Sequence, residues 1–292
     1  MPAMETRRRS LTEIHVAVFL FGFPGLFGKW LPVSPALIVF GRVLFAAAAL
    51  AAVLAITKRR FRISPGRDLA LLVACGLILA VHWTFFFKSI QVSSVAVGLL
   101  AYSSFPVFTA FLEPLLAREK WDPASLVLAL VCVAGIGLIV PGFDLSDTVV
   151  QGVLWGLAAG LTFAVLSVLN RQLAARHSSV TVAFYQDLFA GLFLLPTVIG
   201  SGLPFSGRDW ILVAVLGVFC TAAAHTLFIQ GMKGVGARTA SIVSSLEPVY
   251  GILLALAFLK EYPSLRTVSG GAIVLAAAAA ATLRARRRPA TA

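Results

Sequence analysis

Ser244-Ser245-Leu246-Glu247-Pro248, with Glu261 thirteen residues beyond the proline, is the stretch from which the fold is read. It lies in an apolar run. There a proline removes one backbone donor and clashes with the carbonyl four residues back, here that of Ser244. The reading is a bent helix with a free acceptor and a carboxylate beside the bend. The same order recurs as Ser103-Ser104-Phe105-Pro106, with Glu119 again thirteen residues after its proline. Two copies of one unit account for both.

The 292 residues are 59% hydrophobic and 12% charged, where a soluble domain carries roughly 25% charged residues. The class is therefore an all-α multi-pass membrane protein. Apolar runs of the length that crosses a hydrocarbon core of about 30 Å cover residues 11–31, 34–57, 67–88, 92–117, 122–141, 150–172, 178–200, 208–232, 236–259 and 263–283. They predict ten transmembrane helices. Arg42 falls inside the second run. Of the other Lys and Arg, eighteen lie on the side that holds the chain ends and five on the opposite side. Positive charge collects on the cytoplasmic face, so both termini are expected there.

The net charge of +12 does not indicate nucleic acid, because the basic residues stand singly or in short runs at helix ends. No small-residue cleavage site follows the first run, and nine further runs do, so it reads as a helix rather than a signal peptide. Cys75, Cys132 and Cys220 lie within runs at no metal or disulfide spacing. No cofactor or metal is expected.

The halves repeat in order. Gly41-Arg42-Val43-Leu44-Phe45-Ala46 matches Tyr185-Gln186-Asp187-Leu188-Phe189-Ala190. His82 lies ten residues before Val92, as His225 lies ten before Val235. Five helices is an odd number, so the second copy enters from the opposite side. The expectation is a 5+5 inverted-topology repeat, an arrangement used by many secondary transporters. The units are 11–145 and 146–283, flanked by a cytoplasmic N-terminus, 1–10, and a basic tail, 284–292.

These features resemble the EamA-type drug/metabolite transporter superfamily. The residues that carry the likeness are the Pro35 to Arg42 opening of span two, Tyr185-Gln186 in span seven, and Glu247-Pro248 to Glu261. Trp83-Thr84-Phe85-Phe86-Phe87 after His82 is most similar to the aromatic amino-acid exporters of the YddG type. The resemblance implies a central cavity lined by helices 1, 3, 4, 6, 8 and 9. It also implies export of amino acids or related metabolites from the bacterial inner membrane, by a monomer whose partners are a small-molecule substrate and the lipid bilayer.

Candidate residues follow from their positions. His82, Phe85, Phe86 and Ser89 share one helical face. A histidine in a span faces a polar interior or bonds a backbone carbonyl to fix packing, and both readings stand. His225 shares a face with Thr221 and Phe228. Tyr102, Phe105 and Thr109 surround Pro106, which frees the Tyr102 carbonyl; an aromatic substrate stacking there and a kinked helix with an aromatic anchor are both open readings. In span six, Trp155 is cavity wall or interface anchor, Phe163 belongs with the cavity, and Gly156 and Gly160 form a small-residue contact.

Ser244 and Glu247 complete the cavity set. An ionised carboxylate at that depth is costly unless paired or wetted. Binding a substrate ammonium, carrying a proton and pinning helix nine all remain open for Glu247. Arg42 and Asp187, one residue apart in the repeat alignment, are expected to pair with each other as a structural element. Helix breaks are expected at Gly22, Pro24, Pro106 and Pro248.

Among other classes, an intramembrane enzyme lacks support: there is no His-Glu-x-x-His and no Gly-x-Ser-x-Gly. A channel or scaffold would not need an inverted repeat with two proline breaks.

Overall fold

In the computed structural model, residues 2–58, 63, 66–117, 123–140, 142, 144–174, 176–228, 230–231, 243–244 and 246–284 are described. Glu119, Val235 and Ser245, used above in the repeat alignment, lie outside them. The helices in chain order are α1 (Pro2–Gly22), α2 (Pro24–Trp30), α3 (Pro35–Ile56), α4 (Arg67–Val92), α5 (Val95–Tyr102) and α6 (Phe105–Ala117). They continue with α7 (Pro123–Ile139), α8 (Thr148–Ala174), α9 (Ser179–Ser201), α10 (Gly207–Gly217), α11 (Glu247–Leu259) and α12 (Leu265–Arg284). Among the described residues, six helical segments are long and apolar enough to cross a membrane. Four shorter apolar ones are Val95–Thr109, Leu126–Ile139, Glu247–Leu259 and Leu265–Ala280.

Local chemistry sets where these helices start. Proline stands in the first turn of α2, α3 and α11, where its missing N–H costs no helical bond. Ser94 and Ser178 cap α5 and α9 by accepting from Val97 N and Thr181 N. Ser206 and Asp209 form a reciprocal capping box on α10.

Three interruptions shape the interior. The first run breaks between Gly22 and Pro24, giving α1 and α2. The fourth, read above as one bent helix, is two helices parted at Ser103-Ser104. There Ser103 Oγ donates to Leu99 O and Ser104 Oγ to Ala101 O, both at 2.7 Å, beside the backbone bonds that Ser103 N and Ser104 N make to the same carbonyls. The ninth turns at Leu246, putting Glu247 and Pro248 at the start of α11. A fourth irregularity had no counterpart in the sequence reading: α10 continues as a π-helical stretch, Val218–Ala223. Thr221 Oγ1 donates to Leu216 O at 3.0 Å, five residues back.

Packing runs between the two halves of the chain. The second-half helices α8 and α9 lie against α4, α9 also against α3, and α8 also against α5 and α6. On the other side α11 lies against α1 and α5, the α10 and π segment against α3, and α12 against α7. The main apolar core is built around α3, α4, α8 and α9, with Phe87, Ile90, Leu72 and Leu216 fully buried.

Candidate functional site

His82 on α4 is 3% exposed, and its Nδ1 lies 2.9 Å from the Ala159 carbonyl of α8, to which it donates as the Nδ1–H tautomer. That bond turns the ring toward a set of aromatics from α4, α5, α6 and α8. Centroid distances from His82 are 5.2 Å to Phe163, 5.6 Å to Tyr102 and 6.5 Å to Phe86. Tyr102 stacks on Phe105 at 5.4 Å, and Phe105 meets Phe163 edge-on at 4.9 Å. The approach depends on Gly160: a Cβ there would lie 3.0 Å from the Tyr102 carbonyl oxygen and 3.1 Å from Ser104 Oγ. A Cβ there is tighter than ordinary contact, so α8 or the break between α5 and α6 would have to give by a few tenths of an ångström to admit it.

Phe85 and Trp155 pair with each other at 5.1 Å. His225, beyond the π stretch, meets Phe21 at 5.3 Å and Trp83 at 6.4 Å. The expected candidates thus fall into neighbouring groups. His82, Phe86, Tyr102 and Phe163 come together, Trp155 sits beside Phe85, and His225 lies on the α1 side. Ser244 is partly buried, in helical backbone just before the turn at Leu246.

Arg42 joins the groups. Its guanidinium carbon lies 3.8 Å over the Trp83 ring, and its Nε donates to Thr221 Oγ1 at 2.6 Å. The expected direct pair with Asp187 is not formed. Among the described residues, no N···O distance within 4.0 Å joins Arg42 to Asp187 or Glu247. The reason is that the side chain is drawn to the π stretch and the indole face instead. Asp187, Glu247 and Tyr102 nonetheless feel the Arg42 charge, as do His82 and His225. The centre therefore combines rings, one cation and two carboxylates. Among the described residues, no cluster of three His, Cys, Asp or Glu has metal-binding geometry.

Two polar clusters mark opposite ends of α4, which at 1.5 Å per residue spans about 39 Å. At its start, Asp68 pairs with Arg176 and His177, each at 2.8 Å. At its end, Lys29 donates to Ser93 O at 2.7 Å and lies 3.7 Å from Glu261, which accepts from Val95 N at 2.9 Å. A cavity of about 270 Å³ lies here, lined by Ser93, Ser94, Ile252, Glu261 and Tyr262 among others. Sequence reading counted Lys29 only as a charge and used Glu261 as a repeat marker and as part of the family likeness. Their approach, across more than two hundred residues, has no local signal.

This cluster holds α2, α5 and α11 together. Replacing Glu261 by Ala removes one charge-assisted hydrogen bond and one half-buried ion pair, about 1.5 kcal/mol in all. The expected result is an alkylation rate roughly tenfold higher at a cysteine substituted for Ser94, by the same free energy. An unchanged rate would mean the cluster does not hold that end closed.

Comparison with known proteins adds four findings. Residues 12–140 and 150–283 match the EamA-like transporter family. A Bacillus subtilis (strain 168) protein, the uncharacterized transporter YxxF, is 26% identical over 291 residues, spanning 97% of this chain and 93% of its own. The aromatic amino acid exporter YddG of Ancylobacter novellus is 28% identical over 217 residues, spanning 73% of this chain and 75% of its own. A solved crystal structure shares the fold, with a TM-score of 0.65 at 22% identity over 97% of this chain and 99% of that one.

Proposed function

The chain belongs to the EamA-like transporter family and is a multi-pass protein of the bacterial inner membrane, and from there we propose that it exports amino acids, aromatic ones among them, by alternating access. The observation that carries this is the ring set of His82, Phe86, Tyr102, Phe105 and Phe163, gathered from four helices beside a buried cation and two carboxylates. Rings stack or meet edge-on for about 0.5–1.5 kcal/mol per pair, and opposite charges suit the ends of a zwitterion.

On this reading the chain forms ten spans in two inverted repeats and works as a monomer with both termini cytoplasmic. Three observations support it. The six long and four shorter apolar helices coincide with the ten apolar runs. The family matches twice, over segments close to 11–145 and 146–283. Exchanging each span with the one five places along also leaves the main inter-half pairings unchanged. The contact of span three with seven (α4 on α9) becomes that of eight with two (α10 on α3). That of four with six (α5 and α6 on α8) becomes that of nine with one (α11 on α1). On this topology the Lys29–Glu261 cluster faces outward and the Asp68 cluster faces the cytoplasm.

Uptake of labelled phenylalanine, tryptophan and threonine into vesicles holding the purified protein, with and without a pH gradient, tests the reading. Saturable transport of the aromatic pair is the expected result. Transport of none of the three overturns it, and rates indifferent to the gradient remove a proton-carrying role for His82 and Glu247.

A further inference from the structure

Arg42 is 3% exposed on a membrane-spanning helix, yet its hydrogen bonding is incomplete. A guanidinium carries five N–H donors. Here Nε is satisfied by Thr221 Oγ1, which is itself held by Leu216 O in the π stretch. One face of the plane is covered by Trp83. Among the described residues, the terminal Nη1 and Nη2 groups have no acceptor, and neither Asp187 nor Glu247 reaches them.

A purely structural arginine at this depth would be paired, since an uncompensated buried cation costs several kcal/mol. The two contacts that do exist fix the guanidinium in position and in plane. They leave free the edge that binds a carboxylate through two parallel N–H···O bonds. Lysine, with a point charge on a flexible stem, would not be oriented this way.

Resting on the export reading above, we propose that Arg42 binds the carboxylate of the transported amino acid through its terminal amino groups. Trp83 and Thr221 position it, the π stretch being what puts Thr221 within reach. The ring of the substrate then faces His82, Tyr102 and Phe163, while Asp187 and Glu247 face its ammonium. π-helical turns inside α-helices occur often at functional sites, and this one has such a use.

The test compares ligands that differ by one charged group on purified wild-type protein. L-Phenylalanine, 3-phenylpropanoate (ring and carboxylate) and phenethylamine (ring and ammonium) are titrated, with tryptophan fluorescence and thermal unfolding as readouts and Trp83→Phe as the fluorescence control. Phenylalanine and 3-phenylpropanoate are expected to quench Trp83 and raise Tm, with phenethylamine at least tenfold weaker. Arg42→Lys is expected to weaken both carboxylates about tenfold, and Arg42→Gln to bring phenylalanine down to phenethylamine.

Equal binding of phenylalanine and phenethylamine by the wild type overturns the proposal, whether or not the Arg42 variants fold. If no ring compound binds, the aromatic reading fails. Threonine against 1-aminopropan-2-ol then judges the arginine in the same way, and binding of neither overturns it too.

Discussion

Gly217→Val is expected to lower the thermal stability of the purified protein by about 10 °C, the equivalent of about 3 kcal/mol in a chain of this size. Gly217 lies where α10 passes into the π stretch and crosses α3. A Cβ built there would lie 2.5 Å from the Arg42 carbonyl oxygen, 2.7 Å from Phe45 Cβ and 3.1 Å from Ala46 N. Two of those atoms are backbone, so a rotamer change cannot relieve the overlap and the two helices must separate. Gly217→Ala imposes the same clash with less bulk and should fall between wild type and valine. Unfolding followed by size-exclusion chromatography after heating measures the shift. A Tm within a degree or two of wild type would show that α3 and α10 do not pack as described. Because the separation also carries Thr221 away from Arg42, ligand binding should fall with stability in this variant.

Phe163→Ala has the second large effect, on transport rather than folding. The ring makes contacts with His82 at 5.2 Å, Tyr102 at 5.5 Å and Phe105 at 4.9 Å. It is only partly buried, so the space it leaves adjoins the proposed substrate position. Losing about two ring contacts with an aromatic substrate, at roughly 0.5–1.5 kcal/mol each, predicts a fall of about ten- to a hundredfold in kcat/KM for phenylalanine and tryptophan. Threonine has no ring to lose and should change by less than about threefold. Phe163→Leu, which keeps the volume without the ring, should behave like alanine toward aromatic substrates while restoring stability. Uniform loss across all three amino acids would mean that Phe163 supports the bundle and does not touch substrate.

Much of the candidate site's local grouping was legible because its signals are local. Proline acts on its own helix, so Pro24, Pro106 and Pro248 announced breaks that lie within three residues of them. Residues three and four apart share a helical face, so His82 with Phe86, and Tyr102 with Phe105, could be grouped without knowing any neighbour. The same rule also put Phe85 with His82. In the folded chain Phe85 turns to Trp155, because the rotation of α4 against α8 divides that face between two groups of rings.

Repeat alignment makes Asp187 the expected partner for Arg42. The reach of Arg42 is decided instead by a change of helical pitch at Val218–Ala223, on a helix almost two hundred residues away in sequence. Thr221 carried the only hint, as a hydroxyl in an apolar run, and nothing local said that its partner would be a cation.

Composition and period were therefore enough to establish a helical membrane protein with interrupted helices, since hydrophobic length and backbone chemistry act within a single segment. The choice of partners came from how the segments dock. Arg42 with Trp83 and Thr221, Lys29 with Glu261, and Asp68 with Arg176 and His177 all depend on helix rotation, and on small residues such as Gly160 and Gly217 that let backbones approach. Those distances are properties of pairs of helices, which no single stretch of the chain encodes.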